Sequence, residues 1–232
     1  MNSSLPLKTR DRILQVSLDQ FNEHGERAVT TNHIAAALGI SPGNLYYHFR
    51  NKSEIITQLL ESYQTETLRL LSVPTDRPLT VQDKLDYFQT LSQQFWKYRF
   101  LHRDIHQLIE TDDAIRQRYP AFARQVMIQG RAIYRGFVEA GLMNMSTAEI
   151  DALVINVWLV MTNWSNFLVM SGHIARNDAI SERWVRQGLR QMVFLEGPYL
   201  NAENRLMYDT LLNTYGEEGF FEQPVTQPAT SV

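Results

Sequence analysis

The chain has no cysteine among its 232 residues, which excludes disulfides, thiolate metal sites and cysteine nucleophiles together. Glycine and proline are sparse, at 11 and 8. No alternating polar and apolar run, internal repeat or glycine-rich phosphate loop appears, so little is available to build a sheet or a nucleotide cradle. No nucleophile stands with a base and no acid with a partner base, so neither an enzymatic role nor a cofactor is expected. The opening MNSSLPLKTR lacks the apolar core of a secretion signal, and the expectation is a cytoplasmic protein. The most apolar stretch, 150–170, is interrupted by Asp151, Asn156, Asn163 and Asn166. That is too polar for a comfortable membrane span. It reads as a buried helix, with no membrane partner.

Neither sign of charge dominates: the net formal charge is −3. Its distribution is uneven. Residues 1–52 carry six basic side chains (Lys8, Arg10, Arg12, Arg27, Arg50, Lys52) against four acidic ones (Asp11, Asp19, Glu23, Glu26). A mildly basic tip on an acidic body orients toward a polyanion tip-first, although +2 supplies only modest non-specific attraction.

What the chain does have is helical periodicity. Apolar spacing and end signals predict helices over 7–23, 52–71, 81–100, 102–111, 120–140, 147–171, 180–196 and 201–215, with two short ones between 31 and 49. Gly25, Gly39, Gly141, Gly172 and Gly216 mark ends. Pro74 and Pro78 break the pattern, which places a domain boundary near Ser72. The expected fold is all-α, with nine or ten helices. A first domain over 1–71 includes a long fourth helix, a larger helical domain follows over 72–216, and 217–232 is a disordered tail.

The densest information lies in Thr30–Lys52, TTNHIAAALGISPGNLYYHFRNK. Thr31 suits the cap of a first short helix carrying Ile34, Ala35 and Leu38 on one face, and Gly39 sits where a left-handed residue would stop it. Ser41 is a good cap and Pro42 a good first residue for a second helix. Leu45 and Phe49, four apart, point inward together, leaving Gly43, Asn44, Tyr46, Tyr47 and His48 outward. Amides for base edges, phenol and imidazole groups for phosphates, and small residues for close backbone approach are what a recognition helix requires. Asn51 to Glu54 has capping-box spacing, opening a helix whose positive end and Lys52 suit a phosphate.

In these residues the chain resembles the tetracycline-repressor-like (TetR) transcriptional regulators. That family shows a threonine opening the second helix, then Ile-Ala, a Gly-hydrophobic-Ser turn, and a Tyr-x-His-Phe-x-x-Lys run; here these are Thr31, Ile34-Ala35, Gly39-Ile40-Ser41 and Tyr46 to Lys52. The resemblance covers roughly residues 8–60. It implies DNA contacts at Thr31, Asn32, Ser41, Pro42, Gly43, Asn44, Tyr46, Tyr47, His48 and Lys52, with Asn32 and Asn44 reading bases and Tyr47, His48 and Lys52 on phosphates. It further implies a homodimeric repressor of a near-palindromic operator, released by a small effector. The helices over 147–171 and 180–196 would then form the dimer interface, through residues such as Val154, Val157, Trp158, Val185, Leu189 and Met192.

The C-terminal part is dense in aromatics. Phe95, Trp96, Tyr134, Phe137, Trp158, Met161, Asn163 and Phe167 are candidates to line a pocket for a mostly apolar or aromatic effector, and ordinary core packing explains any one of them as well. His102, His106 and Glu110 align at i, i+4 and i+8, a spacing compatible with zinc but common by chance and placed beside Arg103, so no metal is assigned. A helical small-molecule-binding or interaction protein without DNA function is the competing reading. It would keep the aromatics but have no use for an outward Tyr-Tyr-His group.

Overall fold

The structure is a computed structural model describing residues 8–175, 178–216 and 220. Among them are ten α-helices: α1 Thr9–His24, α2 Thr31–Leu38, α3 Pro42–His48, α4 Lys52–Leu70, α5 Val81–Lys97, α6 Arg99–Thr111, α7 Asp113–Glu139, α8 Thr147–Met170, α9 Glu182–Glu196 and α10 Arg205–Tyr215. The described residues contain no strand, only an isolated bridge between Met143 and Leu200. The tail expected to be disordered lies outside the described residues except for Phe220.

Several starts follow the cap chemistry of the sequence. Ser146 opens α8 by a reciprocal box with Glu149, and Thr80 opens α5 with Asp83. The Asp83 carboxylate also takes two bonds from Arg77 at 2.7 Å, which hold its pKa well below the usual carboxylate range. Others differ from expectation, with α6 beginning at Arg99 and α10 at Arg205 and not at residues 102 and 201. The cap of α2 is Thr30, not Thr31: its hydroxyl accepts from the His33 amide, and the His33 ring accepts from the Thr30 amide. And α7 begins at Asp113, not near residue 120, because the Asp112 carboxylate caps the Ala114 and Ile115 amides and Pro120 is carried inside the helix.

The interior does not divide at residue 72. One hydrophobic cluster runs from Ile13, Phe21, Ile34, Leu45 and Phe49 through Ile55 and Leu59 to Phe100, Ile105 and Phe122, so α6 and α7 share the core of the N-terminal helices. Polar contacts reinforce the joint. Asn22, buried at the end of α1, accepts from the Phe100 amide at 3.0 Å and donates to the Lys97 carbonyl at 2.9 Å. Arg103 donates to the Phe21 carbonyl at 3.1 Å, and Asp104 accepts from the Glu26 amide at 3.3 Å. On α4, Glu66 gathers Lys97 at 2.8 Å, Gln94 at 3.0 Å and Tyr98 at 3.2 Å.

The remaining clusters join α5 with α8 to α10 and α7 with α8. Helix α9 closes onto α8 where Gly188 faces Trp164. A β-carbon there would lie 2.8 Å from the indole, so only glycine permits this approach. By length and composition α8 could cross a bilayer, but it is not the buried helix expected. One face packs through Ile150, Leu153 and Leu168, while Ile155, Leu159, Phe167 and Met170 are exposed.

Candidate nucleic-acid interface and effector cavity

The turn between α2 and α3 is built by two devices that the local sequence supplies. Gly39 takes φ +68, and the Gly39 and Ile40 amides bond back to the Ala36 and Ala35 carbonyls at 3.1 and 3.0 Å, which closes α2 in a Schellman motif. No side chain crowds Gly39, so its backbone angle is what calls for glycine. The Ser41 hydroxyl then accepts from the Asn44 amide at 3.2 Å, with Pro42 as the first residue of α3. Leu45 and Phe49 are fully buried against Ile34 and Ala35, fixing which side of α3 faces out.

That outer side carries Asn32, Ser41, Pro42, Gly43, Asn44, Tyr46 and Tyr47, all exposed, with Thr31 and His48 half-buried. Tyr47 is 84% exposed, an unusual solvent load for a large aromatic, and its ring meets His48 edge-on at 5.1 Å. The Tyr46 phenol bonds the Thr31 hydroxyl at 2.9 Å, tying α3 to α2 across the turn and giving the two residues one joint surface.

Lys52 is placed differently from a free phosphate-binding lysine. Its ammonium reaches the Glu26 and Val29 carbonyls at 2.9 and 3.1 Å and the Glu26 carboxylate at 2.7 Å. Three acceptors match its three donors, so it straps the start of α4 to the α1–α2 turn. Asn51 caps α4 by accepting from the Glu54 amide at 2.9 Å, while the Glu54 carboxylate turns to the Arg50 amide at 2.7 Å instead of completing the box.

A second feature lies between α4, α5, α7, α8 and α9: a narrow cavity of about 80 Å³. Of the pocket candidates, Tyr134, Phe137, Trp158 and Met161 line it. Phe95 lines a smaller adjacent cavity of about 30 Å³, and Met161 and Met192 form a wall common to both. Asn163 and Phe167 instead border an open groove on the α8–α9 surface, with Leu159, Gln191 and Phe194. Trp96 lines none of these and lies half-exposed under the Arg99 guanidinium at 4.1 Å. The interface candidates Val154, Val185, Leu189 and Met192 are buried in the chain's own core, and the exposed apolar side chains lie one helical step away.

The cavity wall includes residues that sequence reasoning passed over. Lys84 and Glu196, each almost fully buried, pair at 2.6 Å, and the Tyr134 phenol donates to the other Glu196 oxygen. Burial, with Glu196 alongside, pushes the Tyr134 phenol well above its ordinary pKa and keeps it a donor. The signal was present: Lys84 falls on the stripe Val81, Lys84, Leu85, Phe88 and Leu91 that α5 turns inward. His102 stacks on Phe95 at 4.0 Å with the Tyr63 edge at 5.4 Å, and burial lowers its pKa to about 3. His106 stands exposed, and no group of three or more metal-ligating side chains occurs among the described residues.

Comparison with known proteins agrees with this geometry. The family model described as "Bacterial regulatory proteins, tetR family" matches residues 13–59, and the one described as "Bacterial transcriptional repressor" matches residues 62–208. The crystal structure of a TetR-family transcriptional regulator from Marinobacter aquaeolei is similar at 40% identity and TM-score 0.78, covering 90% of this chain and 99% of that one. The HTH-type transcriptional repressor KstR2 of Mycolicibacterium smegmatis is 35% identical over 60 residues, 26% of this chain and 29% of that protein. The probable acrEF/envCD operon repressor of Escherichia coli K12 is 33% identical over 88 residues, 38% of each chain. The chain thus matches only about a third of the length of these curated relatives.

Proposed function

The chain belongs to the TetR family of bacterial transcriptional regulators, and from that premise we propose that it is a cytoplasmic, homodimeric repressor whose operator is released by a small, mostly apolar effector. The observation that carries the DNA half is the outer side of α3, polar and aromatic throughout over a fully buried Leu45 and Phe49. Asn32 and Asn44 are the base readers, as amides suited to adenine, and Ser41, Pro42 and Gly43 let the backbone come close. Tyr47 and His48 meet phosphates, Thr31 and Tyr46 present their joined hydroxyls beside them, and the start of α4 at Lys52 sets the register.

Two such heads, about 34 Å apart, would enter successive major grooves of a near-palindrome. The stripe Ile155, Leu159 and Met170 on α8, with Phe194 on α9, supplies the self-complementary apolar face a two-fold dimer needs. Asn163 and Asn166 interleave with it on α8, which suits a second copy better than lipid. The relevant effector enters a cavity of about 80 Å³, below the roughly 150 Å³ that admits benzene to an engineered protein cavity. It must therefore widen the cavity to bind. Tyr63, Thr67 and Leu71 of α4 form part of that wall, and the other end of α4 is strapped to the head by Lys52. An effector that prefers the widened state thereby disfavours the DNA-binding geometry.

Titration against DNA from the chain's own promoter region at fixed salt tests the reading. A sequence-preferential complex is expected, weakened about tenfold or more by Asn44→Ala and also by Tyr47→Ala. A complex indifferent to both substitutions, or no preference for any segment, would overturn it.

A further inference from the structure

The cavity is apolar on nearly every side, yet one wall holds a buried ion pair. Lys84 is 1% and Glu196 3% exposed. Replacing such a pair by packed hydrophobic side chains is often neutral or stabilising, so its retention is weak evidence for a stability role. Its bonding is also incomplete on one side. Glu196 is satisfied at both oxygens, by Lys84 and by Tyr134. Lys84 has three donors, and among the described residues its hydrogen bonding uses one of them; around it stand the rings of Phe137 at 4.9 Å, Phe88 at 5.5 Å and Tyr134 at 5.8 Å. Elsewhere on the cavity wall the Thr67 hydroxyl, on a residue 4% exposed, has no hydrogen bond of good geometry, although the Tyr63 phenol lies close enough to feel it.

Resting on the effector reading above, we propose that this cavity selects an uncharged, elongated effector carrying a hydrogen-bond acceptor such as a ketone, aldehyde or ester carbonyl, which accepts from a spare Lys84 donor. The charge arithmetic does the selecting. Lys84 and Glu196 together are neutral, so a carboxylate ligand would sit against Glu196 and an ammonium against Lys84, each with no counter-charge left to receive it in a desolvated site. A plain alkane fills the same space but leaves the Lys84 donors and the Thr67 hydroxyl as they are. A second hydroxyl or carbonyl on the ligand would find Thr67.

The experiment uses the free full-length protein, without DNA, so that its outcome is separate from the operator titration. Octan-2-one, octanoate, octylamine and octane are titrated against the fluorescence of the tryptophans, Trp158 being in the cavity wall. Octan-2-one is expected to bind about tenfold more tightly than octane, as one hydrogen bond to a charged donor allows, and octanoate and octylamine more weakly than octan-2-one. In Lys84→Met/Glu196→Leu, which keeps an apolar wall, the ketone preference over octane is expected to vanish. Octanoate or octylamine binding as tightly as the ketone, no ketone preference over octane in the natural chain, or no binding of any of the four would overturn the proposal without reference to the variant. A preference that survives in the folded double variant would overturn the role of Lys84.

Discussion

The N-terminal head and the C-terminal body each hold a lysine against a glutamate, and the two pairs are built in opposite ways. Lys52 sits near the surface, its side chain 29% exposed, with three acceptors for three donors. Lys84 is enclosed, its side chain 2% exposed, with one carboxylate and three aromatic faces. The first arrangement is saturated, and it fixes a turn. The second keeps donors in reserve at the edge of an empty space, which is wasteful for stability and useful for recognition. The Lys52 pair is thus satisfied within the head, which meets its partner with side chains that point away, whereas the Lys84 pair keeps donors inside the body for a partner that enters.

That contrast is broken most directly by removing one member of the buried pair. Glu196→Leu leaves the Lys84 charge uncompensated and should cost about 3–5 kcal/mol in urea unfolding, while Lys84→Met/Glu196→Leu should fall within about 1 kcal/mol of the natural chain. A single substitution as mild as the double one would mean that water reaches Lys84 and that the enclosed cavity is not dry.

His102, on the helix that joins the two regions, gives the next largest effect. Its folded pKa of about 3 lies below the ordinary 6.5. Between those values the unfolded chain binds a proton that the folded chain refuses. This contribution is therefore fully present above about pH 6.5 and is lost as the pH falls toward 3. The limiting slope is about 1.4 kcal/mol per pH unit, reduced because the ring is only half-buried by surface exposure. Unfolding free energies measured from pH 7 to 4.5 should fall less steeply in His102→Gln than in the natural chain. Parallel profiles would show that His102 keeps solvent contact and that the joint is looser than its stacking on Phe95 implies.

The head and the body also differ in how much their sequences disclosed. The head's turn is local: Gly39, Ser41, Pro42 and Asn51 act on amides within a few residues, so their roles could be read in place. Even there the local code was ambiguous between neighbours, since Thr30 and Thr31 are both competent caps and only the His33 contact decides. The body depends on distant pairs. Glu196 lies 112 residues from Lys84 and Asn22 lies 78 from Phe100, and periodicity can flag a lysine on an apolar stripe without naming its partner. The pocket aromatics divide for the same reason: Tyr134 and Trp158 share a wall with Tyr63 and Leu91, while Phe167, of the same composition, faces outward. The start of α7 at Asp113 follows from Asp112, whose carboxylate holds two amides.

A smaller effect tests whether the head is as self-contained as its bonding suggests. Ser41→Ala removes the bond to the Asn44 amide and should cost about 1 kcal/mol of stability. It should also weaken operator binding by more than that stability loss alone explains, because Asn44 is oriented by the same turn. A loss of stability with operator affinity unchanged would show that α3 is held by Leu45 and Phe49 alone.

The smallest expected effect decides what Lys52 is for. A lysine that neutralises a phosphate lowers the slope of log affinity against log salt by about one when it is removed. Lys52→Met should leave that slope nearly unchanged per protomer, because its ammonium already has Glu26 and two carbonyls as partners. It should nevertheless weaken operator binding at every salt concentration, since α4 is no longer tied to the turn that carries α2. A slope reduced by a full unit would mean that Lys52 leaves Glu26 on meeting DNA. In that case both lysines meet a partner, Lys52 by giving up its glutamate and Lys84 while keeping its own.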